Sequence, residues 1–107
     1  AALYHKLIEE EYEEYLRAER EEDEADAVCD LIYVLIGYGI SRGWPMARLW
    51  EEVQATNMAK VDPVTGRVRR REDGKILKPE GWKPPDIARV LKEHEVQRAA
   101  ERAMLGR

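Results

Sequence analysis

The sequence contains one cysteine, two histidines and no apolar run long enough to cross a membrane. Each scarcity removes a class of explanation. A lone cysteine, Cys29, cannot form an internal disulfide, which suits the reducing cytoplasm. Its apolar and acidic neighbours disfavour a thiolate, so it reads as a small core residue and not a nucleophile. Neither His5 nor His94 completes the Glu-x-x-His motif of di-iron bundles. His5 reads as surface and His94 as solvated. The apolar stretch Leu31–Ile40 falls far below the roughly 20 residues that span a bilayer, so no membrane partner is expected, and no signal peptide is evident. Surplus positive charge is missing too. With 18 Lys and Arg against 22 Asp and Glu, the net charge is -4, a poor basis for general nucleic-acid binding.

What is present is charge, and it is segregated. Charged residues make up 37% of the 107. Glu9 to Asp30 is heavily acidic, while Lys60 to Arg107 holds the surplus of Lys and Arg. The length suits a single domain, residues 1–107, with one modest core. Ala1 enters a helical pattern at once, which suggests that the natural chain extends N-terminally.

The apolar periodicity predicts an all-α fold, a bundle of about four helices with a small β-hairpin insertion. Ala2 to about Arg20 is amphipathic, with Tyr4, Leu7, Ile8, Tyr12 and Tyr15 on one arc and Glu11 interrupting it. Glu21–Asp23 reads as a turn, with Asp23 as N-cap of a central helix from about Glu24 to Ser41. From Leu31 onward that helix is apolar nearly all round, so burial on every side is expected. Gly37 and Gly39 within it predict close helix approach. Arg42-Gly43 ends it. Pro45 opens a third helix reaching about Lys60, whose core face is Met46, Leu49, Trp50 and Val53, continued by Asn57 and Lys60. Asp73-Gly74, flanked by Val68, Ile76 and Leu77, is a hairpin signal within residues 64–82. Asp86 caps a last helix to about Met104. Helices two and three offer more apolar surface than one short first helix can cover, so the core is expected to be completed by oligomerisation, as a homodimer or homotetramer.

The chemistry lies where acids meet apolar surface. Asp26, Asp30, Tyr33 and Gly37 share one stripe of the central helix. Glu10, Glu11 and Glu14 come from the first helix, an antiparallel neighbour by its short loop. Facing carboxylates repel unless a cation lies between them. An all-oxygen donor set selects Mg²⁺, with Mn²⁺ as the second choice.

These residues carry a family resemblance. Glu-Glu-x-x-Glu at Glu10, Glu11 and Glu14, followed by an acidic-led helix ending in Asp30, resembles the all-α NTP pyrophosphohydrolases of the MazG-like superfamily. That superfamily includes phosphoribosyl-ATP pyrophosphohydrolase and the dimeric dUTPases. Asn57–Pro63 (N-M-A-K-V-D-P) and Arg71–Asp86 (R-E-D-G-K-I-L-K-P-E-G-W-K-P-P-D) extend the likeness to a small single-domain branch. It covers about Leu7 to Ile87. One departure stands out: the family's second motif is commonly Glu-x-x-Asp, whereas here Ala27 lies three before Asp30 and the acid, Asp26, lies four before.

The resemblance implies Mg²⁺-dependent hydrolysis of a nucleoside triphosphate to monophosphate and pyrophosphate. It implies Glu11, Glu14, Asp26 and Asp30 as metal ligands, and Glu10 and Glu11 as catalytic carboxylates. Asn57, Lys60 and Lys75 would contact the substrate, and Tyr33 and Trp82 would line a base pocket. Lys78 and Lys83 would add positive potential or be plain solvated surface. Two alternatives stay open: an enzyme acting on phosphoribosyl-ATP, and a non-catalytic helical module that binds a partner or oligomerises.

Overall fold

The computed structural model describes residues 2–106. Four helices carry the architecture: α1 (Ala2–Arg17), α2 (Glu21–Ser41), α3 (Met46–Met58) and α4 (Ile87–Leu105), with strands β1 (Arg69–Arg70) and β2 (Ile76–Leu77) between the last two. The chain is all-α with a small hairpin, as its periodicity predicts. It forms two compact units, one up to Met46 and one from Ala47.

In the first unit α1 packs on α2. The contacts run in opposite senses along the two helices. Tyr4 meets Tyr38 at 5.6 Å between ring centroids, while Glu11 and Glu14 meet Asp30, so the pair is antiparallel. Glycine permits close approach at Gly39, where a Cβ would collide with the Met46 side chain, whereas a Cβ on Gly37 would make only an ordinary 3.5 Å contact with the Tyr4 ring.

The turn between these helices differs from the expectation. α1 stops at Arg17 and α2 begins at Glu21, with Arg20 as its N-cap residue. Asp23 is not the cap. It lies in the first turn with Glu21, Glu22 and Glu24, where four negative charges suit the positive end of the helix dipole. Arg20 ties the turn down by donating to both Asp23 oxygens, at 2.9 and 3.1 Å.

The expected burial of α2 on every side does not hold in the single chain. Ala27 and Gly39 are its buried residues, whereas Val28, Ile32, Leu35 and Ile36 are exposed and Ile40 is 64% exposed. Cys29 is exposed as well. The physical reason is that α1 covers one stripe of a helix that is apolar all round. Tyr12 and Tyr15 at the far end of the α1 arc are likewise exposed and stack on each other at 6.3 Å.

In the second unit Leu49 and Val90 are the buried apolar residues. Trp50, expected in the core, is 68% exposed, because its neighbour Leu49 takes the inward position. The hairpin pairs Arg69 with Leu77 and Arg70 with Ile76. Its turn is the one predicted at Asp73-Gly74: Gly74 has φ 87°, and the Asp73 carboxylate accepts from the Lys75 N–H at 3.0 Å. Arg71 bonds the same carboxylate, and these two bonds hold it below its ordinary range. Asp86 caps α4, accepting from the Arg89 N–H at 3.0 Å. Glu52 links α3 to α4 by accepting from the Asp86 N–H at 2.9 Å and from the Arg89 guanidinium at 2.7 Å. Glu93 adds a second tie, pairing with Arg48 and, at 3.1 Å, with Arg89.

Candidate metal centre

Glu11 and Glu14 lie three apart on α1, hence on one face. The antiparallel partner helix brings Asp30 to meet them. One carboxylate oxygen from each of the three lies within 4.8 Å of the other two. Glu11 is half-buried, and its Oε2 is enclosed with no hydrogen-bond partner. A buried acceptor without a donor is rare and costly. Burial raises the Glu11 carboxyl above its ordinary value of 4.5, and the charges of Glu14, Asp30 and Glu10 push the same way. Three converging acids, one holding an orphaned oxygen, form an all-oxygen donor set that fits a hard divalent cation.

The remaining expected site residues fall in different places. Glu10 is exposed beside Glu11, close enough for its charge to act on it. Asp26 is exposed and stands outside the three-carboxylate group. Ala27 is the buried residue of that turn. Tyr33 is 81% exposed in the single chain.

Asn57, Lys60, Lys75 and Trp82 belong to the second unit. Asn57 and Lys75 are exposed, while Lys60 and Trp82 are half-buried. The indole N–H of Trp82 donates to the Thr56 carbonyl at 2.7 Å. The Lys60 ammonium lies 5.1 Å from its ring centroid and the Lys78 ammonium 4.8 Å. Sequence reasoning left Lys78 undecided between a functional charge and solvated surface. A signal was available: Pro79 and Gly81 make a turn, closed by Trp82 N–H to Pro79 C=O at 3.1 Å with Gly81 at φ 79°, and such a turn folds the indole back toward the residue before the proline.

The carboxylate trio lies on an antiparallel pair of helices, and comparisons with known proteins show which class of helical protein this is. The model of the phosphoribosyl-ATP pyrophosphohydrolase family matches residues 1–57, more than half of the chain and including all three acids. The chain belongs to that family, within the MazG-like all-α NTP pyrophosphohydrolase superfamily. A crystal structure from Exiguobacterium sp. 255-15, described as a candidate NTP pyrophosphohydrolase, superposes with a TM-score of 0.57 at 28% identity. The match covers 94% of this chain and 63% of that one, so this chain spans somewhat less than two thirds of its neighbour. None of the curated proteins matches it. Among the described residues, no helix is long and apolar enough to cross a membrane.

Proposed function

We propose that the chain is a cytoplasmic, Mg²⁺-dependent nucleoside triphosphate pyrophosphohydrolase, active as a homo-oligomer and serving to clear the nucleotide pool. The observation that carries this reading is the convergence of Glu11, Glu14 and Asp30 around an unpartnered Glu11 oxygen. A non-catalytic module has no physical need for mutually repelling acids in that position.

Glu11, Glu14 and Asp30 would hold the ion, with Mn²⁺ as an alternative occupant. Bound there, the cation supplies charge neutralisation and positioning for the polyphosphate. The residues of the chain do the rest. Glu10 takes the proton of the attacking water. The water oxygen forms the new bond to phosphorus, the bond at the α–β bridge breaks, and pyrophosphate departs with the bridging electron pair. Glu11 is proposed to share in catalysis as the carboxylate that joins the ion to the neighbouring Glu10, on the family resemblance. Asp26 is a candidate for a water-mediated contribution only. Asn57, Lys60, Lys75 and Tyr33 are proposed as substrate contacts on the family resemblance and on their donor or aromatic chemistry, with Trp82 as part of the same site.

Pyrophosphate release across a panel of ribo- and deoxynucleoside triphosphates, with and without Mg²⁺, tests the reading. Monophosphate and pyrophosphate are the expected products, and release should cease in chelator. Diphosphate and orthophosphate would place the protein in another mechanism. The name of the matching family favours a second reading, hydrolysis of phosphoribosyl-ATP, and that compound belongs in the same panel.

A further inference from the structure

The family resemblance implies that Trp82 lines a base pocket, but its surroundings fit another task. The ring is anchored at one edge by the indole N–H bond to Thr56, and two ammonium groups already lie against it. These ammoniums are therefore no more than about 10 Å apart, although like charges repel. Neither Lys60 nor Lys78 takes part in an ion pair among the described residues. Both line one cleft of about 140 Å³, with Arg69 as a third cation. The acids there are Asp62 and Glu80. Asp62 is engaged in its own turn, accepting from the Val64 N–H at 2.8 Å. Some 10–15 Å³ suffices for one water, so the cleft has room for a phosphate-sized anion.

We infer that Trp82 is a positioning residue, whose ring holds Lys60 and Lys78 by cation–π contact as a receptor for the pyrophosphate portion of the substrate. The inference rests on the proposed function for the identity of the anion. A ring face attracts an ammonium without neutralising it. Two cations held that way keep their full charge for a ligand, whereas a carboxylate partner would quench them. Arg69 extends the positive lining along the hairpin strand.

Calorimetric titration of the whole chain with inorganic pyrophosphate, in chelator, isolates this cleft from any metal at the carboxylates. The parent should bind, and more weakly as salt rises. Lys60→Met and Lys78→Met should each weaken binding roughly ten-fold, as the loss of a charge-assisted contact does. Trp82→Phe keeps a ring face but loses the indole N–H; Trp82→Leu loses both. The positioning role predicts binding by the Phe variant within roughly three-fold of the parent and a loss in the Leu variant comparable to that of a lysine variant. A purely structural role through the Thr56 bond predicts equal losses in both. Equal losses, or no binding by the parent, would overturn the inference. If Trp82→Leu does not fold by circular dichroism, Trp82→Phe decides alone: near-parent binding supports the role, and a ten-fold loss overturns it. The nucleotide panel is a separate readout. A negative panel with ring-dependent pyrophosphate binding sinks the proposed function and leaves the receptor. A positive panel with binding indifferent to Trp82 sinks the receptor alone.

Discussion

Carboxylates meet opposite fates in the two units. In the second, Glu52 and Glu93 each face an arginine, and Asp86 accepts from a backbone N–H at the start of α4. In the first, Glu11, Glu14 and Asp30 face one another, and Glu11 Oε2 has no donor. The directions of titration record the difference. The hydrogen bond from Arg48, joined by Arg89, lowers the Glu93 carboxyl, while burial and neighbouring acids raise that of Glu11. The same side chain is a structural tie where a cation is built in and a candidate ligand where none is. The first unit differs in a second way, since most apolar positions of α2 from Ile32 to Ile40 are exposed in the single chain.

Removing one acid should break the comparison most visibly. Asp30→Asn deletes a charge at nearly constant shape. Activity should fall by orders of magnitude, because a metal site short of one ligand loses much of its transition-state stabilisation. Stability should respond in the opposite sense. In chelator the variant should melt no lower than the parent, since repulsion has been relieved. In millimolar Mg²⁺ the parent should gain by RT ln(1 + [Mg²⁺]/Kd) and the variant should gain little. A variant that melts well below the parent in chelator, with Mg²⁺ raising neither, would show that the acids are structural.

The second prediction concerns this apolar face. A helix that exposes Ile32, Leu35, Ile36 and Ile40 together presents more apolar surface than scattered residues would. The protein should be a homo-oligomer by light scattering at micromolar concentration, and Ile36→Glu should shift it toward monomer by placing a charge in the contact. A monomeric parent would refute the assembly.

These features were unequally legible in the sequence. Glu11 could be singled out because it interrupts an apolar arc, and Asp30 because it directly precedes the apolar run Leu31–Ile40; both signals are periodic and local. The Asp73-Gly74 turn and the Asp86 cap were legible for the same reason. Asp26 was harder to read, because a spacing of four and a spacing of three both suggest one face and only packing decides between them; here Ala27 is buried and Asp26 is exposed. The N-terminus of α2 came out too late because four consecutive acids read equally well as a solvated turn or as the dipole-favoured start of a helix. The ties of Glu52 to Arg89 and of Glu93 to Arg48 span 37 and 45 residues in sequence, and no local pattern announces them. The cations on Trp82 were hidden by the same limit for Lys60, although Lys78 lies only four residues away.

The smallest effect, and the sharpest test of the comparison, is the dependence of stability on pH. For Glu93 the folded carboxyl lies below its ordinary value of 4.5. Its contribution is therefore complete above that value and is lost as the pH falls through the folded pKa. Its side chain is exposed, so solvent screening keeps the effect modest. For Glu11 the folded carboxyl lies above 4.5. Its favourable contribution is complete below that value and is lost as the pH rises through the folded pKa. The matching glutamine variants should then diverge in opposite directions when melting is followed in chelator from about pH 3 to about pH 8. Glu93→Gln should fall below the parent toward neutral pH and converge on it in acid. Glu11→Gln should match the parent in acid and rise above it toward neutral pH, because the amide carries no charge to be repelled. Mg²⁺ should reverse the second curve and leave the first unchanged, since only Glu11 is proposed as a ligand. Parallel curves for the two variants would mean that the carboxylates of both units share one environment, and the distinction between tie and ligand would be lost.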